Sequence, residues 1–207
     1  MRYRLWAVAA LAAAPRLTSA QDPFAEPDFF TVTTYEISIP TGDTRRFVGS
    51  PSWAGLSWEG RWPLSNRSAT VGVLLGLNEF SERFNGTTNF PSGAATGPQF
   101  RYLLSMSAMA TGYWYSFGTQ RYRLYVGGGA GAMRIDQVYE LGVQQVSRAA
   151  WHAVAAPEIG TEYFGLGSLF VGVFGIRFNV PLSGGDYVGG GSRSFRSVTF
   201  RLGISER

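Results

Sequence analysis

Apolar and polar side chains alternate with a period of two along most of the chain between Phe30 and Ile204. This is the period of a β-strand, in which successive side chains point to opposite faces of the sheet. Signals for helices are scarce. Turn-forming residues divide the alternation into eight segments, at residues 30–40, 52–64, 69–82, 99–117, 121–137, 150–164, 169–180 and 195–205. The pattern predicts an all-β protein with eight strands.

The two faces of each predicted strand differ in chemistry. In the second segment Trp58 and Trp62 alternate with Glu59 and Arg61, and elsewhere too the charged residues lie opposite the large apolar ones. A face of large apolar side chains suits lipid, whereas a polar face suits the interior of a small barrel. In a water-soluble barrel the two faces would be reversed. We therefore expect the apolar face to point outward.

The connections between the segments alternate between short and long. Short turns follow the second, fourth and sixth segments, and longer polar stretches follow the first, third, fifth and seventh. The short turns are at residues 65–68, 118–120 and 165–168, and the long stretches at residues 41–51, 83–98, 138–149 and 181–194. Tight turns at one end and long loops at the other are typical of outer-membrane barrels. The layout predicts an eight-stranded antiparallel up-and-down transmembrane β-barrel with its short turns in the periplasm.

Aromatic residues make up 15% of the chain. Trp and Tyr prefer the boundary between lipid and water, because one end of each side chain is apolar and the other is polar. Several of them lie close to the short turns, namely Trp62, Tyr113, Trp114, Tyr115, Tyr122 and Tyr163. We predict that these residues form a girdle at the periplasmic boundary of the membrane.

The N-terminus has the three parts of a secretory signal peptide. Residues 1–4 include two arginines, residues 5–14 are all apolar, and small residues at 18–20 precede polar Gln21. The apolar run is too short to cross a bilayer as a helix, which needs about 20 residues. We therefore divide the chain into a signal peptide at residues 1–20, a periplasmic N-terminal segment at 21–29, and the barrel domain at 30–207.

The basic character of the chain comes largely from this N-terminus. The chain has 18 basic and 14 acidic residues, and residues 1–20 contain three of the basic residues and none of the acidic ones. Removing them leaves 15 basic residues against 14 acidic ones, a net charge of +1. The sequence isoelectric point of about 9.6 is therefore no sign of nucleic-acid binding, and we predict none.

Residue types that the chain lacks exclude several chemistries. It has no cysteine, and every basic residue is arginine, so disulfides, thiolate metal sites, lysine-dependent phosphate loops and Schiff bases are ruled out. The single histidine, His152, cannot form a two-histidine metal site. We predict no catalytic residue, no cofactor and no metal site.

Charged residues on the predicted interior face balance one another. Because the last strand of a closed barrel pairs with the first, Arg201 and Glu36 should be neighbours. We predict that these two residues and Arg61, Glu59 and Glu158 form a charged layer, since buried charges need partners. An eight-stranded interior is narrow enough for side chains to fill. The full set of predicted interior charges is Glu36, Glu59, Arg61, Arg101, Glu158, Glu162, Arg177 and Arg201.

In this layout the chain resembles the small eight-stranded outer-membrane β-barrels of Gram-negative bacteria, the group that includes OmpX, OmpW and the transmembrane domain of OmpA. The resemblance covers nearly all of the chain after residue 20. Two stretches, Tyr125–Gly129 and Ala156–Gly160, are also similar to segments common in such barrels. The resemblance implies a place in the bacterial outer membrane, contact with outer-membrane lipid, and insertion by the outer-membrane assembly machinery.

We expect a monomeric, non-enzymatic barrel that is plugged by its internal Arg/Glu pairs. Its role would be structural, or would consist of surface interactions through the external loops. The first alternative is a narrow channel for small or hydrophobic solutes. The second is an outer-membrane lipid-modifying enzyme that uses His152, although we favour an ordinary histidine at the rim of the barrel. The third is a secreted soluble barrel.

Overall fold

The computed structural model describes residues 28–64, 68–90, 93–118, 122–142, 144–164, 170–182 and 195–206. The predicted signal peptide and residues 21–27 of the predicted periplasmic segment lie outside these ranges. Within them are strands β1 (Phe30–Thr41), β2 (Ser52–Pro63), β3 (Ala69–Phe90), β4 (Gly93–Gly118), β5 (Tyr122–Leu141), β6 (Gln144–Phe164), β7 (Phe170–Pro181) and β8 (Arg196–Glu206), and a short helix, α1 (Gly42–Phe47).

The eight strands form a closed barrel in which each strand pairs antiparallel with its neighbours in the sequence. Closure comes from β1 and β8, where Glu36 lies opposite Arg201 and Ile37 opposite Phe200. A slip of one residue in this register would exchange the inward and outward faces of a strand, so the alternating pattern fixes it. The predicted eight-stranded up-and-down barrel is confirmed.

Four consecutive strands, β3 to β6, are longer than predicted. The β3–β4 ladder runs out to Phe90 and the β5–β6 ladder runs out to Leu141, whereas β2 and β7 end well before these points. Much of the sequence at 83–98 and 138–149, which we predicted to be loop, is therefore strand that projects beyond one end of the barrel. Backbone pairing between adjacent strands outweighs the weak strand preference of the glycine, asparagine and alanine residues at 83–98.

Helix α1 interrupts the first long connection, which we also predicted to be loop. Thr44, Phe47 and Val48 are buried, and Arg45 and Arg46 are exposed. This is the i, i+3, i+4 spacing of an amphipathic helix, but six residues are too few for the period to stand out in the sequence. In the described part of the chain, no helix is long and apolar enough to cross a membrane.

Two of the six predicted girdle residues point into the barrel. The outward set is Trp62, Trp114, Tyr122 and Tyr163, all of which are exposed. Tyr113 and Tyr115 are buried in the interior, so the prediction was wrong for these two. The reason is local: in a strand, the neighbours of an outward Trp114 must point inward.

The barrel interior has two chemically different halves, whereas we predicted a polar interior throughout. The half near the long connections holds buried apolar side chains, which we call the outer apolar cluster, beside neutral polar ones such as Gln99, His152 and Asn179. Its members are Phe47, Val48, Leu74, Phe80, Leu103, Met109, Met133, Ile135, Val154, Ala156 and Phe195. The half near the short turns holds the buried charges together with a second cluster of Phe30, Val32, Tyr113, Tyr115, Tyr125 and Val173.

Candidate functional site

Arg201 on β8 lies at the centre of the buried charges. Its guanidinium group is 2.6 Å from Oε1 of Glu158, 3.3 Å from Oε1 of Glu36 and 3.4 Å from Oε2 of Glu59. All four side chains are almost completely buried. The pair that we predicted from barrel closure, Arg201 and Glu36, is therefore in contact, and two further carboxylates share the same arginine.

Arg177 on β7 forms a second bridge between two of these carboxylates. Its Nε lies 2.9 Å from Oε2 of Glu158, and its Nη1 lies 3.2 Å from Oε1 of Glu36. Glu36 and Glu158 thus each contact two guanidinium groups. The two carboxylates come from β1 and β6, so the two arginines on the intervening strands β7 and β8 join them along one side of the interior.

Arg61 on β2 links this group to the end of the barrel with the short turns. Its Nη2 lies 2.8 Å from Oε2 of Glu59, and its Nη1 lies 3.2 Å from Oε1 of Glu162. The guanidinium carbon also lies 4.1 Å from the centre of the Tyr113 ring, a distance that allows a cation–π contact. Arg61 is completely buried, and carboxylates and an aromatic ring surround it.

Arg123 on β5 completes the set, although the sequence analysis missed it. Its Nη2 lies 2.9 Å from Oε2 of Glu162, and its guanidinium carbon lies 3.9 Å from the centre of the Tyr115 ring. The glycine run that follows in β5 obscured which face of the strand is inward. The signal was present nonetheless, because Arg123 lies on the face opposite the apolar residues Leu124 and Val126.

We call these eight residues the charged layer: Arg61, Arg123, Arg177 and Arg201 with Glu36, Glu59, Glu158 and Glu162. Arginine stays protonated in proteins, so four guanidinium groups balance four carboxylates when the latter are ionised. Each charge of the layer contacts an opposite charge, which avoids most of the cost of burying isolated charges. Among the described residues, Nε of Arg61, Nε of Arg123 and Nη2 of Arg177 have no hydrogen-bond partner.

Neutral side chains satisfy the remaining oxygens of the carboxylates. Ser57 and Asn78 donate hydrogen bonds to Glu36 at 2.6 and 2.9 Å. Thr111 donates to Glu59 at 2.7 Å, and Tyr125 donates to Glu158 at 2.8 Å. With Asn78 on β3 and Thr111 on β4, every strand of the barrel contributes at least one side chain to this network.

Glycines make room for the tyrosine of this network. A Cβ atom on Gly160 would lie 2.4 Å from the phenol oxygen of Tyr125, and one on Gly175 would lie 2.6 Å from it. Real Cβ atoms do not approach other atoms so closely. The absence of side chains at these two positions is therefore what lets Tyr125 reach Glu158.

Arg101, another predicted member of the interior charge set, lies apart from the charged layer. It points inward from β4, but its Nη1 donates to the backbone oxygens of Arg46 and Phe47 in α1, at 3.3 and 3.0 Å. Its guanidinium carbon lies 4.5 Å from the centre of the Phe84 ring. Arg101 therefore anchors the helix at the external end. This role could not be foreseen, because the helix itself was not predicted.

His152 lies on the inward face of β6, opposite Met133 of β5, and its exposed fraction is 5%. The sequence analysis favoured a histidine at the rim of the barrel. In the structure, β6 continues outward for eight residues beyond it, to Gln144. The histidine is therefore an interior residue and faces neither the lipid nor the outer surface.

Comparison with known proteins supports the fold. The sequence matches no protein-family model and no curated protein. Among solved structures, Neisserial surface protein A aligns with a TM-score of 0.55 and 12% identity over 87% of this chain and 97% of that one. Ail, the attachment invasion locus protein of Yersinia pestis, aligns with a TM-score of 0.50 and 14% identity over 86% of this chain and 96% of that one. The chain therefore has the fold of the small eight-stranded outer-membrane β-barrels.

Proposed function

We propose that this protein is an outer-membrane barrel that crosses the membrane through its strands. The outer wall supports this proposal, because it exposes a continuous belt of apolar side chains that in water would be unfavourable. The belt includes Tyr35, Ile39, Val71, Val73, Leu75, Leu124, Val126, Ile159, Phe174, Phe178, Val180, Leu202 and Ile204.

The spacing of tryptophans along one strand matches the thickness of a membrane. Trp53 and Trp62 are both exposed and lie at opposite ends of β2. Nine residues at about 3.3 Å each span roughly 30 Å along the strand. With a strand tilt of about 40°, this is about 23 Å along the barrel axis, close to the roughly 25 Å band of outer-membrane barrels. Trp53 would then lie at the external boundary and Trp62 at the periplasmic one.

Fractionation and gel migration test this placement. The mature protein should be recovered in the outer-membrane fraction, and the folded barrel should migrate differently before and after boiling. Recovery in solution without detergent would support the secreted soluble barrel instead.

We propose further that the barrel is non-enzymatic and plugged, so that its role is structural. The observation that carries this proposal is the charged layer together with its neutral hydrogen-bond partners, in which side chains from all eight strands meet in the lumen. Purified protein in planar bilayers should be electrically silent. Steady single-channel conductance of the unmodified protein would support the narrow-channel alternative and count against the plug.

A surface-interaction role is the second part of the proposal. It is favoured by the projecting ends of β3 to β6, which carry ordered strand well beyond the position of Trp53. The names of the two similar proteins, a surface protein and an attachment protein, are consistent with such a role. Shortening the hairpins at residues 83–98 and 138–147 should reduce attachment of bacteria that display the protein, while the heat-dependent gel shift stays intact. Unchanged attachment would argue for a purely structural role.

The alternative of a lipid-modifying enzyme rests on His152. A lipid in the surrounding membrane meets the outer wall, whereas this imidazole faces the interior beside the outer apolar cluster. We therefore expect His152→Ala to leave the lipid profile of the membrane unchanged. An altered profile that returns with the unmodified chain would revive the enzymatic alternative.

A further inference from the structure

We propose that helix α1 is a lid that closes the external end of the lumen, and that it forms a second seal in series with the charged layer. This inference rests on the proposed function of a plugged barrel and deepens it. The chain after Thr41 does not leave the barrel outward, as a long external loop would. It turns at Gly42, whose φ of +54° lies in the left-handed region, and enters the mouth as α1.

Three polar contacts hold the lid to the wall. Arg101 on β4 donates to the two last backbone oxygens of the helix. The backbone nitrogen of Arg196 on β8 donates to Oγ1 of Thr44 at 2.7 Å, and the backbone nitrogen of Gly49 donates to Oε2 of Glu82 on β3 at 3.0 Å. The anchors thus come from opposite parts of the ring. None of them belongs to the charged layer.

Side-chain packing beneath the helix fills this end of the lumen. Phe47 and Val48 belong to the outer apolar cluster together with Leu74, Phe80 and Leu103, all of them buried. Val48 lies directly after α1 and Phe195 directly before β8, and the other members of the cluster come from α1, β3, β4, β5 and β6. Beside the cluster, buried polar side chains fill the lumen and hydrogen-bond to one another, with Asn179 donating to Ser197 and Thr199.

The lid can open without unfolding the barrel. A helix of six residues has little stability of its own, so α1 exists because of its tertiary contacts. The strand ladders beneath it do not depend on those contacts. Elements with few anchors are the ones that open locally while the rest of a protein stays folded. Opening would expose an apolar vestibule that ends at the charged layer.

The absence of cysteine from the chain makes a direct test possible. A thiol introduced by Leu103→Cys would lie beneath the lid, and one introduced by Val173→Cys would lie in the other half of the interior, opposite Glu162 of the charged layer. Each thiol would be exposed to a membrane-impermeant maleimide added to the outside of intact cells.

The lid would be released by Arg101→Ala or by replacing residues 43–48 with a Gly/Ser linker of equal length. Arg83→Ala, which removes an exposed arginine from the neighbouring strand β3, is the matched control.

Release of the lid should raise the labelling rate of the Leu103→Cys thiol at least tenfold and leave that of the Val173→Cys thiol unchanged. Arg83→Ala should change neither. Gel migration before boiling would confirm that each variant is folded. If the Leu103→Cys thiol stays protected in both folded release variants, α1 is not a lid and the inference is overturned.

Planar-bilayer recordings of the same release variants separate this inference from the proposed function. Faster labelling with a silent bilayer is the expected result, since the charged layer still blocks the lumen. Faster labelling accompanied by steady conductance would show that α1 is a lid over an open pore. That result would show that the charged layer does not block the lumen. It would overturn the plugged barrel and the arrangement of two seals in series, but not the lid.

Discussion

Arg201 and Glu158 are joined by a 2.6 Å contact between Nη1 and Oε1, although β7 separates their strands in the barrel wall. The contact therefore passes over the inward face of β7 and joins two strands that do not pair with each other. Both side chains are buried, so neither charged group can reach solvent if its partner is removed. Removing one member of such a buried pair leaves the other uncompensated.

Arg201→Ala should therefore lower the free energy of unfolding by about 3–5 kcal/mol, because it leaves Glu158, Glu36 and Glu59 short of a counter-charge. Urea unfolding of the protein in phospholipid vesicles would measure this. Arg196→Ala, at an exposed position on the same strand, serves as the control and should cost less than about 1 kcal/mol. Equal losses in the two variants would contradict a special role for the charged layer.

Two arginines share Glu162, and their burial differs. The side chain of Arg61 is completely buried, whereas that of Arg123 is 28% exposed. Solvent screens the second pair, so Arg123→Ala should cost about 1 kcal/mol or less, while Arg61→Ala should cost about 3–5 kcal/mol. The same unfolding measurement would compare them, and a larger loss for Arg123→Ala would show that burial does not set the strength of these pairs.

Gly160→Ala should destabilise the barrel because its new methyl group would overlap both the Tyr125 ring and the backbone oxygen of Phe174. Overpacking of this kind costs about 1–3 kcal/mol. Gly172→Ala is the matched control on the neighbouring strand, since its nearest contacts would be 3.8 Å away. The stability of this control should change by less than about 0.5 kcal/mol. If both substitutions leave the free energy of unfolding unchanged, the interior around Gly160 has room for a methyl group and is not tightly packed.

A charge placed on the apolar belt should interfere with membrane insertion. Leu75 is exposed in the middle of the outward face of β3, and Ser81 is exposed on the same face beyond the position of Trp53. Leu75→Arg should cost about 2–4 kcal/mol in lipid, and Ser81→Arg should cost close to zero. The fraction that folds into vesicles, measured by gel migration, would report the difference. Similar folding of both variants in vesicles would argue against the proposed membrane position.

Much of the fold can be predicted from the sequence because the alternation of side chains is a local property. A period of two requires strands, the polarity of each face determines which side chains point inward, and closure of the ring brings Arg201 next to Glu36. The central residues of the charged layer follow from these three facts. With a clearer face assignment in β5, Arg123 would have followed too.

The features that the sequence left undetermined depend on contacts between distant parts of the chain. Helix α1 is too short to show a period, and it is held by Arg101, Glu82 and the backbone of Arg196, which lie far from it in the sequence. The projecting hairpins are held by backbone pairing between strands, and backbone pairing does not require apolar and polar side chains to alternate. The sequence by itself thus determined the strands, their faces and the paired charges. Only the tertiary structure decided how the external half of the lumen is filled, because that half is closed by packing between residues that local pattern does not connect.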